Sequence, residues 1–445
     1  MPNDTIKTNM NHHLTGMAGR IQEKNKPDRE FLKQHGVKAG LRHDDGSGVV
    51  VGVTGKGDVV GHNGTKPIEG TLHYCGYDIN DIVNANGGYE EVVFLLLTGE
   101  LPTSDELGDF RRHFRQRRTI SEEFARKIAS SLTTSHMMNS LQLAVQSLYE
   151  EKFKEGKNPD SNKVEDVLDH SIDIIAKFPS LVAYTFHAMQ QRYNGGEMPE
   201  IAHLAEDSSL DHATHILSLI RGDKEFTKEE ASILDTFLIL HADHGGGPNS
   251  TFTVRVVSSS ETDTYSAINA GLASLKGHLH GGANEKVMAM LRQMRKDLGD
   301  FPSEDGIKKY IEEMINSSGK VYGIGHAVFT LSDPRAIILR NIAERLSKIH
   351  NRDAEFHLLS SIADIAPKII QEKKGKIVAP NVDFYSGFVL DCLGIPEKLY
   401  TPMFAASRVA GWSAHRIEQL MQNKLIRPAY LNMHTTKRYV PIERR

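Results

Sequence analysis

The sequence has little cysteine, no long apolar run and no excess of positive charge. Its 445 residues include two cysteines, Cys75 and Cys392, which form neither a CxxC pair nor a disulfide framework, so we expect a reducing compartment. The longest aliphatic and aromatic run, residues 92–97, is far too short to span a bilayer. The first residues carry acidic groups and no apolar signal core, which predicts a cytoplasmic chain without a membrane segment.

The charge balance argues against nucleic acid as a partner. The 53 lysines and arginines and the 57 aspartates and glutamates leave a formal net charge of −4, whereas nucleic-acid-binding chains usually carry a basic surplus. One basic cluster occupies residues 111–118 (RRHFRQRR), and we interpret it as a solvated helix face rather than an anion site. The length favours two domains, or one large domain with a smaller one attached.

Helical periodicity dominates from about residue 78 onward, which predicts a mainly α fold. Capping boxes at Thr103 and Glu106, and again at Thr227 and Glu230, predict two helix starts. Asp333 is followed by a proline, and this pair predicts a third start. Strand signals are scarce by comparison.

Three other segments have a structural interpretation. Residues 48–61 predict a β-hairpin, because β-branched runs flank Gly-Lys-Gly. Residues 1–45 are polar and predict short surface helices and loops. Small residues dominate 267–274, which predicts a helix that packs close to a neighbour, either in the core or at a subunit interface.

A first candidate motif is His-Ala-Asp-His at residues 241–244, where an apolar helix runs into three glycines. The glycines let backbone approach a ligand closely, and His244 projects into a polar loop. The motif alone allows a structural histidine, an anion contact or a metal ligand, in that order.

A second motif, Leu-His-Gly-Gly-Ala-Asn, places His280 just before a helix. The positive end of a helix disfavours a second proton on the ring, so the imidazole stays neutral. A neutral imidazole can donate an N–H to a developing enolate. A plain turn histidine is the alternative.

Two further motifs bring glycines, an arginine and an aspartate. In residues 320–328 two glycines precede His326, and they could expose backbone groups to a cofactor. Arg335 offers a bidentate fork for a carboxylate. Neither a P-loop nor a Rossmann fingerprint is present. Asp383 stands at a loop-to-helix junction, where an N-cap is the common role of an isolated aspartate.

Taken in order, these motifs resemble the citrate synthase family. The resemblance covers residues 48–430 and includes earlier blocks at 72–79 and 89–102, as well as Ser-Arg and Arg-Pro near the C-terminus. It implies condensation of acetyl-CoA with oxaloacetate, followed by hydrolysis of citryl-CoA to citrate and CoA. By this resemblance CoA is a co-substrate, and no permanent cofactor and no metal are expected.

The resemblance also implies an architecture and an assembly. A mostly helical large domain would comprise residues 1–286, with an N-terminal extension at 1–47, and residues 393–445. A small helical domain, residues 287–392, would be inserted between them. The family works as a homodimer or a multiple of dimers, with active sites between domains that close on substrate.

By the same resemblance, three residues are catalytic. His326 would hydrogen-bond the keto oxygen of oxaloacetate and make its carbon more electrophilic. Asp383 would take a proton from the methyl group of acetyl-CoA, and His280 would stabilise the enolate that results.

The remaining assignments concern binding. His244, Arg335 and Arg408 would hold the oxaloacetate dianion, and Arg427 would reach in from the partner subunit. The other predicted contacts are Asn249 and Phe404 for substrate, and Lys320, Val321, Gly323 and Gly325 for the adenine end of CoA. For the CoA phosphates no motif assigns a cation, and Arg255 and Lys376 are the candidates we name.

Two departures and three rival functions accompany the resemblance. Glycines follow His244 where many relatives have glutamate, and Cys75 stands where many have arginine. A 2-methylcitrate synthase that uses propionyl-CoA is the nearest rival, since one methylene changes binding by only about 1–3 kcal/mol. A catalytically silent CoA-binding paralogue and a metal-binding protein are the others.

Overall fold

The computed structural model describes residues 15, 17–19, 21–22, 29–37, 39–41, 48–64, 66–131, 134–195, 197–317, 320–422, 424–432 and 436–445. The chain divides into two compact units, Met1–Val51 and Gly52–Arg445. In the first unit the described residues form helix α1 (Arg29–Gln34) and a short 3-10 helix, Ala39–Leu41. Much of the predicted N-terminal extension, residues 1–47, lies outside the described residues.

The second unit begins with a small antiparallel sheet. Its strands are β1 (Gly57–His62), β2 (Pro67–Tyr74) and β3 (Tyr77–Asp78), in the order β1-β2-β3. A hairpin centred on Gly-Lys-Gly is therefore wrong, because Gly57 already pairs with Tyr74 as the first residue of β1. The chain reverses instead after Asn63, whose N–H donates to the carbonyl oxygen of Lys66 at 3.1 Å. Asn-Gly is the stronger turn signal, since both residues tolerate positive φ.

The rest of this unit is helical, and the predicted mainly α fold is confirmed. Its helices are α2 (Ile79–Ala85), α3 (Tyr89–Thr98), α4 (Ser104–Gln116), α5 (Glu122–Ser131), α6 (Met137–Lys154), α7 (Val164–Asn194), α8 (Ala202–Ala205), α9 (His212–Arg221), α10 (Lys228–His241), α11 (Asn249–Ser258), α12 (Thr264–Leu275), α13 (Ala283–Leu298), α14 (Glu304–Ser317), α15 (Pro334–Ile349), α16 (Asp353–Lys374), α17 (Val382–Cys392) and α18 (Tyr400–Gln422). Two short 3-10 helices lie at Glu397–Leu399 and Ile442–Arg444. None of the helices in the described ranges is both long and apolar enough to cross a membrane.

Local capping explains where three helices begin. Thr103 and Glu106 form both hydrogen bonds of a capping box at α4, and Thr227 and Glu230 do so at α10. Asp333 is the N-cap of α15, with a proline in the first turn. All three predicted helix starts are confirmed, because each depends only on neighbours in sequence.

The core is organised around α18, which is buried along almost its whole length. It packs against α3, α7, α11 and α12. The contact with α12 is close at Gly271, where a Cβ would lie 2.8 Å from Val254 Cγ2 and 3.1 Å from Trp412 Cδ2. The small residues predicted to allow close packing therefore serve the core at this position.

Cys75 lies in the turn between β2 and β3 with a φ of 49°. Its Sγ is 3.4 Å from the carbonyl oxygen of Leu95, so the thiol links this turn to α3. Both cysteines of the chain are free thiols.

The basic cluster of residues 111–118 is a solvated face only in part. The carboxylate of Glu90, which is 2% exposed, accepts hydrogen bonds from Arg115 Nη2 and from Arg118 Nη2, each at 2.7 Å. Arg111 Nε lies 3.3 Å from the same carboxylate, and Arg118 is fully buried. The interpretation is wrong for these three arginines, because the anion that pairs with them stands on another helix, α3.

Removal of the Glu90 carboxylate should be costly, because Arg118 would remain buried without its partner. We expect Glu90→Ala to lower the free energy of unfolding by roughly 3–5 kcal/mol in urea denaturation. The control is Glu122→Ala, which removes an exposed pair with Arg126 and should leave the denaturation midpoint almost unchanged. Equal midpoints for both variants would contradict this account of the cluster.

Candidate active site

The predicted site residues come from five separate parts of the second unit. They are His244 after α10, His280 between α12 and α13, His326 and Arg335 in the segment that leads from α14 into the first turn of α15, Asp383 in α17, and Arg408 in α18. Ring contacts, hydrogen bonds and a shared pocket bring these side chains together, as follows.

The rings of His244 and His326 lie side by side, with their centroids 5.0 Å apart. Phe329 stacks on His326 at 4.8 Å and meets His244 edge-on at 5.5 Å. Burial, and then the cation of Arg335, holds the pKa of His244 well below its usual range. His244 is therefore neutral, and its buried Nε2 has no hydrogen-bond partner within the described part of the chain.

The other two members of the His-Ala-Asp-His motif point elsewhere. His241 Nδ1 lies 2.7 Å from the carbonyl oxygen of Phe237, and its ring stacks on that side chain. Asp243 accepts the N–H of Gly245 at 2.9 Å and lies 3.1 Å from Nε2 of His415. These three side chains therefore do not converge on one point, and no group of three or more metal-ligating side chains occurs among the described residues.

The backbone determines which nitrogen of His326 carries the proton. The N–H groups of Val328 and Phe329 both donate to His326 Nδ1, each at 3.0 Å. A ring nitrogen that accepts an N–H is unprotonated, so the neutral ring holds its proton on Nε2.

His280 shows the opposite arrangement. Its Nε2 accepts the N–H of Ser250 at 3.2 Å and lies 2.7 Å from Ser250 Oγ, so the proton of the neutral ring is on Nδ1. Burial, and then the cation of Arg408, lowers the pKa of His280 to about 4. His280 does precede helix α13, but the donor that touches its ring lies in the first turn of α11. The sequence motif did not indicate that second helix.

Asp383 is in the first turn of α17 but is not its N-cap. The N-cap is Asn381, whose Oδ1 accepts the N–H of Asp383 at 3.0 Å. The Asp383 carboxylate lines a small pocket together with His280 and Phe404. Burial raises the pKa of Asp383 to about 6, and the nearby Arg335 opposes that rise. A carboxylate that is not used as a cap, with a raised pKa, suits a general base.

Arg335 is held by Asp333. Arg335 Nε and Nη2 donate to the two carboxylate oxygens of Asp333, at 3.0 and 2.8 Å. The bidentate fork that the sequence suggested for a substrate is thus engaged within the protein, which leaves Nη1. The guanidinium carbon also lies 5.7 Å from the ring centroid of Phe329.

Arg408 enters from α18. Its Nε donates to the carbonyl oxygen of His241 at 2.7 Å, and its guanidinium lies over the ring of Phe404 at 4.5 Å. Burial lowers the pKa of Arg408 to about 10, so the group remains a cation at neutral pH. The two Nη atoms make no hydrogen bond with the described residues, and they can bind an anion.

The sheet supports both histidine loops through glycines. A Cβ at Gly245, whose φ is 68°, would lie 2.8 Å from the carbonyl oxygen of Gly57 in β1. A Cβ at Gly70 in β2 would lie 2.2 Å from the carbonyl oxygen of Ser332, in the loop that follows His326. The glycine that replaces glutamate after His244 therefore has a packing reason.

The segment with Lys320, Val321, Gly323 and Gly325 is tied to the loop before Asp383. Gly325 N–H donates to the carbonyl oxygen of Ala379 at 2.8 Å. Asn381 donates its N–H to Gly323 and its side-chain amide to Gly325, at 2.9 and 2.8 Å. The glycine segment and Asp383 are consequently positioned by one asparagine.

Four predicted contacts do not join this cluster. Arg255 is 5% exposed and pairs with Glu418 at 2.5 Å, so its guanidinium is occupied in the core. Asn249 binds Ser274 through its side chain. Arg427 lies in an exposed segment after α18, and Lys376 lies in an exposed segment before α17.

Comparison with known proteins identifies the family of this chain. A sequence model of the citrate synthase C-terminal domain matches residues 46–429. This chain belongs to the citrate synthase family. The citrate synthase of Haloferax volcanii is 36% identical over 368 residues, which are 81% of this chain and 88% of that protein. The 2-methylcitrate synthase 1 of Corynebacterium glutamicum is 32% identical, with 85% of this chain and 93% of that protein covered.

Solved structures of the family share the fold. The citrate synthase of Thermoplasma acidophilum, in a ternary complex with carboxymethyl coenzyme A and oxaloacetate, matches with a TM-score of 0.75 and 30% identity. The match covers 89% of this chain and 97% of that chain. The citrate synthase of Pyrobaculum aerophilum matches with a TM-score of 0.72, also at 30% identity, over 89% and 93% of the two chains.

The family motifs did not indicate four residues that shape the site. Ser250 orients His280, Asn381 caps α17, Phe329 stacks on His326, and His415 pairs with Asp243. The first three lie inside or beside the quoted motifs, so their spacing was a usable signal. His415 lies 172 residues from Asp243, and no local pattern connects them.

Proposed function

We propose that this chain condenses acetyl-CoA with oxaloacetate and hydrolyses the resulting citryl-CoA to citrate and CoA. The observation that carries the proposal is the pocket in which His280, neutral and protonated on Nδ1, faces the same space as Asp383. A donor and a carboxylate in one pocket are what enolisation of a thioester needs. Family membership supports the same reaction.

Enolisation is the first step. The Asp383 carboxylate takes a proton from the thioester methyl group, while His280 Nδ1–H donates to the thioester oxygen on which negative charge develops. A pre-aimed donor of this kind is worth about 3–4 kcal/mol. Correct positioning of base and donor contributes on the order of 7–11 kcal/mol. His280 gives no full proton away, because its neutral ring is a weak acid.

Condensation and hydrolysis follow. The enolate carbon attacks the keto carbon of oxaloacetate, whose keto oxygen is polarised by the Nε2–H of His326. The resulting alkoxide takes up one proton and becomes a hydroxyl, which balances the proton that Asp383 removed and leaves Asp383 ionised again. His244 Nε2, Arg335 Nη1 and the Arg408 Nη atoms bind the oxaloacetate oxygens. Water then attacks the thioester carbonyl and releases CoA as the thiol. None of these steps calls on a metal ion or a permanent cofactor.

The pocket residues also suggest where the acyl-CoA runs. Phe404 lines the pocket of His280 and Asp383, so we place it against the acetyl group. The backbone of residues 320–325 is tied to the loop before Asp383, and we propose that it contacts the adenine end. Asn249 precedes Ser250 in α11 and accepts a hydrogen bond from Ser274, so we propose that it positions α11.

We infer that residues 287–392 form a small domain that closes on a large domain of residues 1–286 and 393–445. Helices α13 to α17 pack against one another, which supports this division. Both free thiols favour a reducing compartment, and we place the chain in the cytoplasm.

We also infer a homodimer in which Arg427 of one copy completes the site of the other. The exposed segment that carries Arg427 is free to make such a contact. Light scattering should therefore give at least twice the chain mass of 49.5 kDa. A monomer that is fully active at assay concentration would contradict a shared site.

Loss of the base should abolish most of the activity. We expect Asp383→Ala to lower kcat by about 10²–10⁴-fold in a thiol-release assay with oxaloacetate and acetyl-CoA. The matched control is Asp391→Ala on the same helix, where the carboxylate is exposed and pairs with Arg352. Equal rates for Asp383→Ala and wild type would remove the proposed base.

The same assay separates the rival functions. Propionyl-CoA should be used less efficiently than acetyl-CoA, and the opposite preference would make the chain a 2-methylcitrate synthase like its Corynebacterium relative. Absence of thiol release with either acyl-CoA would favour a silent paralogue.

The pH dependence of kcat/KM should follow the ionisation of Asp383. Asp383 is active only when ionised, and burial raises its pKa to about 6. We therefore expect kcat/KM for acetyl-CoA to be level above that value and to fall about tenfold per pH unit below it. His280, with a pKa of about 4, stays neutral over this range. An acid limb near pH 4 would contradict the raised pKa.

A further inference from the structure

The side chain of Asp243 lies in a narrow slot between β1 and α18. A Cβ at Gly57 in β1 would lie 2.2 Å from its Oδ2, and a Cβ at Gly411 in α18 would lie 2.5 Å from its Oδ1. The carboxylate is fully buried, and a buried carboxylate is costly unless hydrogen-bond donors satisfy it. The donors that reach into this slot therefore decide how the carboxylate is oriented.

One backbone N–H and one imidazole ring meet the Asp243 carboxylate. The N–H of Gly245 donates to Oδ2 at 2.9 Å, which closes a turn around His244. His415 Nε2 lies 3.1 Å from Oδ1 and 3.3 Å from Oδ2. The carboxylate thus fixes the backbone on both sides of His244, and His415 holds the carboxylate from the side of α18.

The neighbours of His415 determine which of its nitrogens carries the proton. Arg255 Nη1 lies 3.0 Å from His415 Nδ1, and a guanidinium can only donate, so Nδ1 accepts this hydrogen bond. The neutral ring therefore carries its proton on Nε2 and donates that N–H to Asp243. Arg255 Nη1 also donates to Glu418 Oε2 at 2.5 Å, which holds the guanidinium in place.

Glu418 connects these side chains to the backbone that leads into β1. Its Oε1 accepts the N–H of Gly55 at 2.7 Å, and Arg255 Nη2 donates to the carbonyl oxygen of Val53 at 3.1 Å. A continuous series of contacts thus runs from the start of the sheet through Arg255 and His415 to the turn that carries His244. His415 is fully buried, so its route to the site is through the Asp243 carboxylate.

We propose that His415 is a positioning residue whose Nε2–H orients the Asp243 carboxylate and, through it, the His244 ring that binds oxaloacetate. The inference rests on the proposed function, which assigns oxaloacetate to His244, and deepens it. A displacement of about 1 Å at a reacting site can cost on the order of a hundredfold in rate. His280 and Asp383, which face the acetyl group, lie on other elements, so the effect of His415 should fall on oxaloacetate.

The test compares two amide side chains at position 415. The amide nitrogen of glutamine reaches the place of imidazole Nε2, whereas the shorter asparagine places its amide near Nδ1 and cannot reach Asp243. We expect His415→Asn to raise KM for oxaloacetate by roughly tenfold or more, the effect of one lost hydrogen bond to a charged group. KM for acetyl-CoA should stay near the wild-type value, and kcat should change less than KM for oxaloacetate. His415→Gln should keep all three parameters near those of wild type.

His187→Asn is the matched control, since His187 is a buried histidine of α7 whose Nε2 lies 2.8 Å from the carbonyl oxygen of Leu219. It should lower the thermal unfolding midpoint about as much as His415→Asn does, but leave KM for oxaloacetate unchanged. An unchanged KM for oxaloacetate in His415→Asn would overturn the proposal. Equal increases in both KM values, or equal effects of His415→Gln and His415→Asn, would assign the residue to packing and overturn it as well.

Action through Asp243 also requires that the two residues be coupled. In Asp243→Ala the carboxylate is gone, so His415 has nothing left to orient. Adding His415→Asn to that variant should therefore raise KM for oxaloacetate much less than it does in wild type, because residues in one hydrogen-bond network are not additive. Two independent factors that multiply in the double variant would show another route and contradict the proposal.

Titration calorimetry with oxaloacetate separates this inference from the proposed function. Wild type that binds oxaloacetate roughly tenfold more tightly than His415→Asn, yet releases no thiol, would retain the positioning role and refute the reaction. Thiol release by wild type, together with equal oxaloacetate affinities of the two proteins, would retain the reaction and refute the positioning role. Wild type that binds no oxaloacetate would overturn both.

Discussion

A buried carboxylate, that of Asp333, connects three parts of the site. It caps α15, binds the guanidinium of Arg335 through two hydrogen bonds, and accepts the N–H of Val382 at 3.1 Å. Because Asp383 is the next residue after Val382, one group positions both Arg335 and Asp383, the proposed substrate-binding arginine and the proposed base. Burial would raise the pKa of Asp333, but Arg335 more than offsets this and keeps the carboxylate ionised. Buried charges persist only when they are paired in this way.

Burial in the site shifts the pKa values of the histidines and of Asp383 in opposite directions. Burial lowers the pKa of His244 and of His280 and raises the pKa of Asp383, because it disfavours the charged form of every group. Hydrogen bonds then select the tautomer: Ser250 leaves the proton of His280 on Nδ1, and two backbone N–H groups leave that of His326 on Nε2. Neutral donors and a poised carboxylate thus arise from burial combined with fixed N–H groups.

Prediction from the sequence succeeded where the determining groups are neighbours in the chain. The capping boxes of α4 and α10 involve residues three apart, and the glycines after His244 follow it directly. Prediction failed where the interacting group lies far away in the sequence. The arginines of residues 111–118 looked solvated because Glu90 lies on another helix, and the hairpin was misplaced because two glycine-containing turns competed. Local patterns carry no information on the distant carboxylate, whereas the turn after Asn63 did have a local signal in Asn-Gly.

The sequence alone determined the helical class, the order of the motifs and, through them, the family, and it predicted which side chains react. Only the tertiary structure decided how those side chains are used. It engaged the fork of Arg335 with Asp333, gave the cap of α17 to Asn381 and left the Asp383 carboxylate for chemistry. It also buried Arg255 against Glu418 and placed Lys276, Lys286 and Lys398 around one pocket. Each of these outcomes depends on burial and on contacts between distant residues, which chain order does not encode locally.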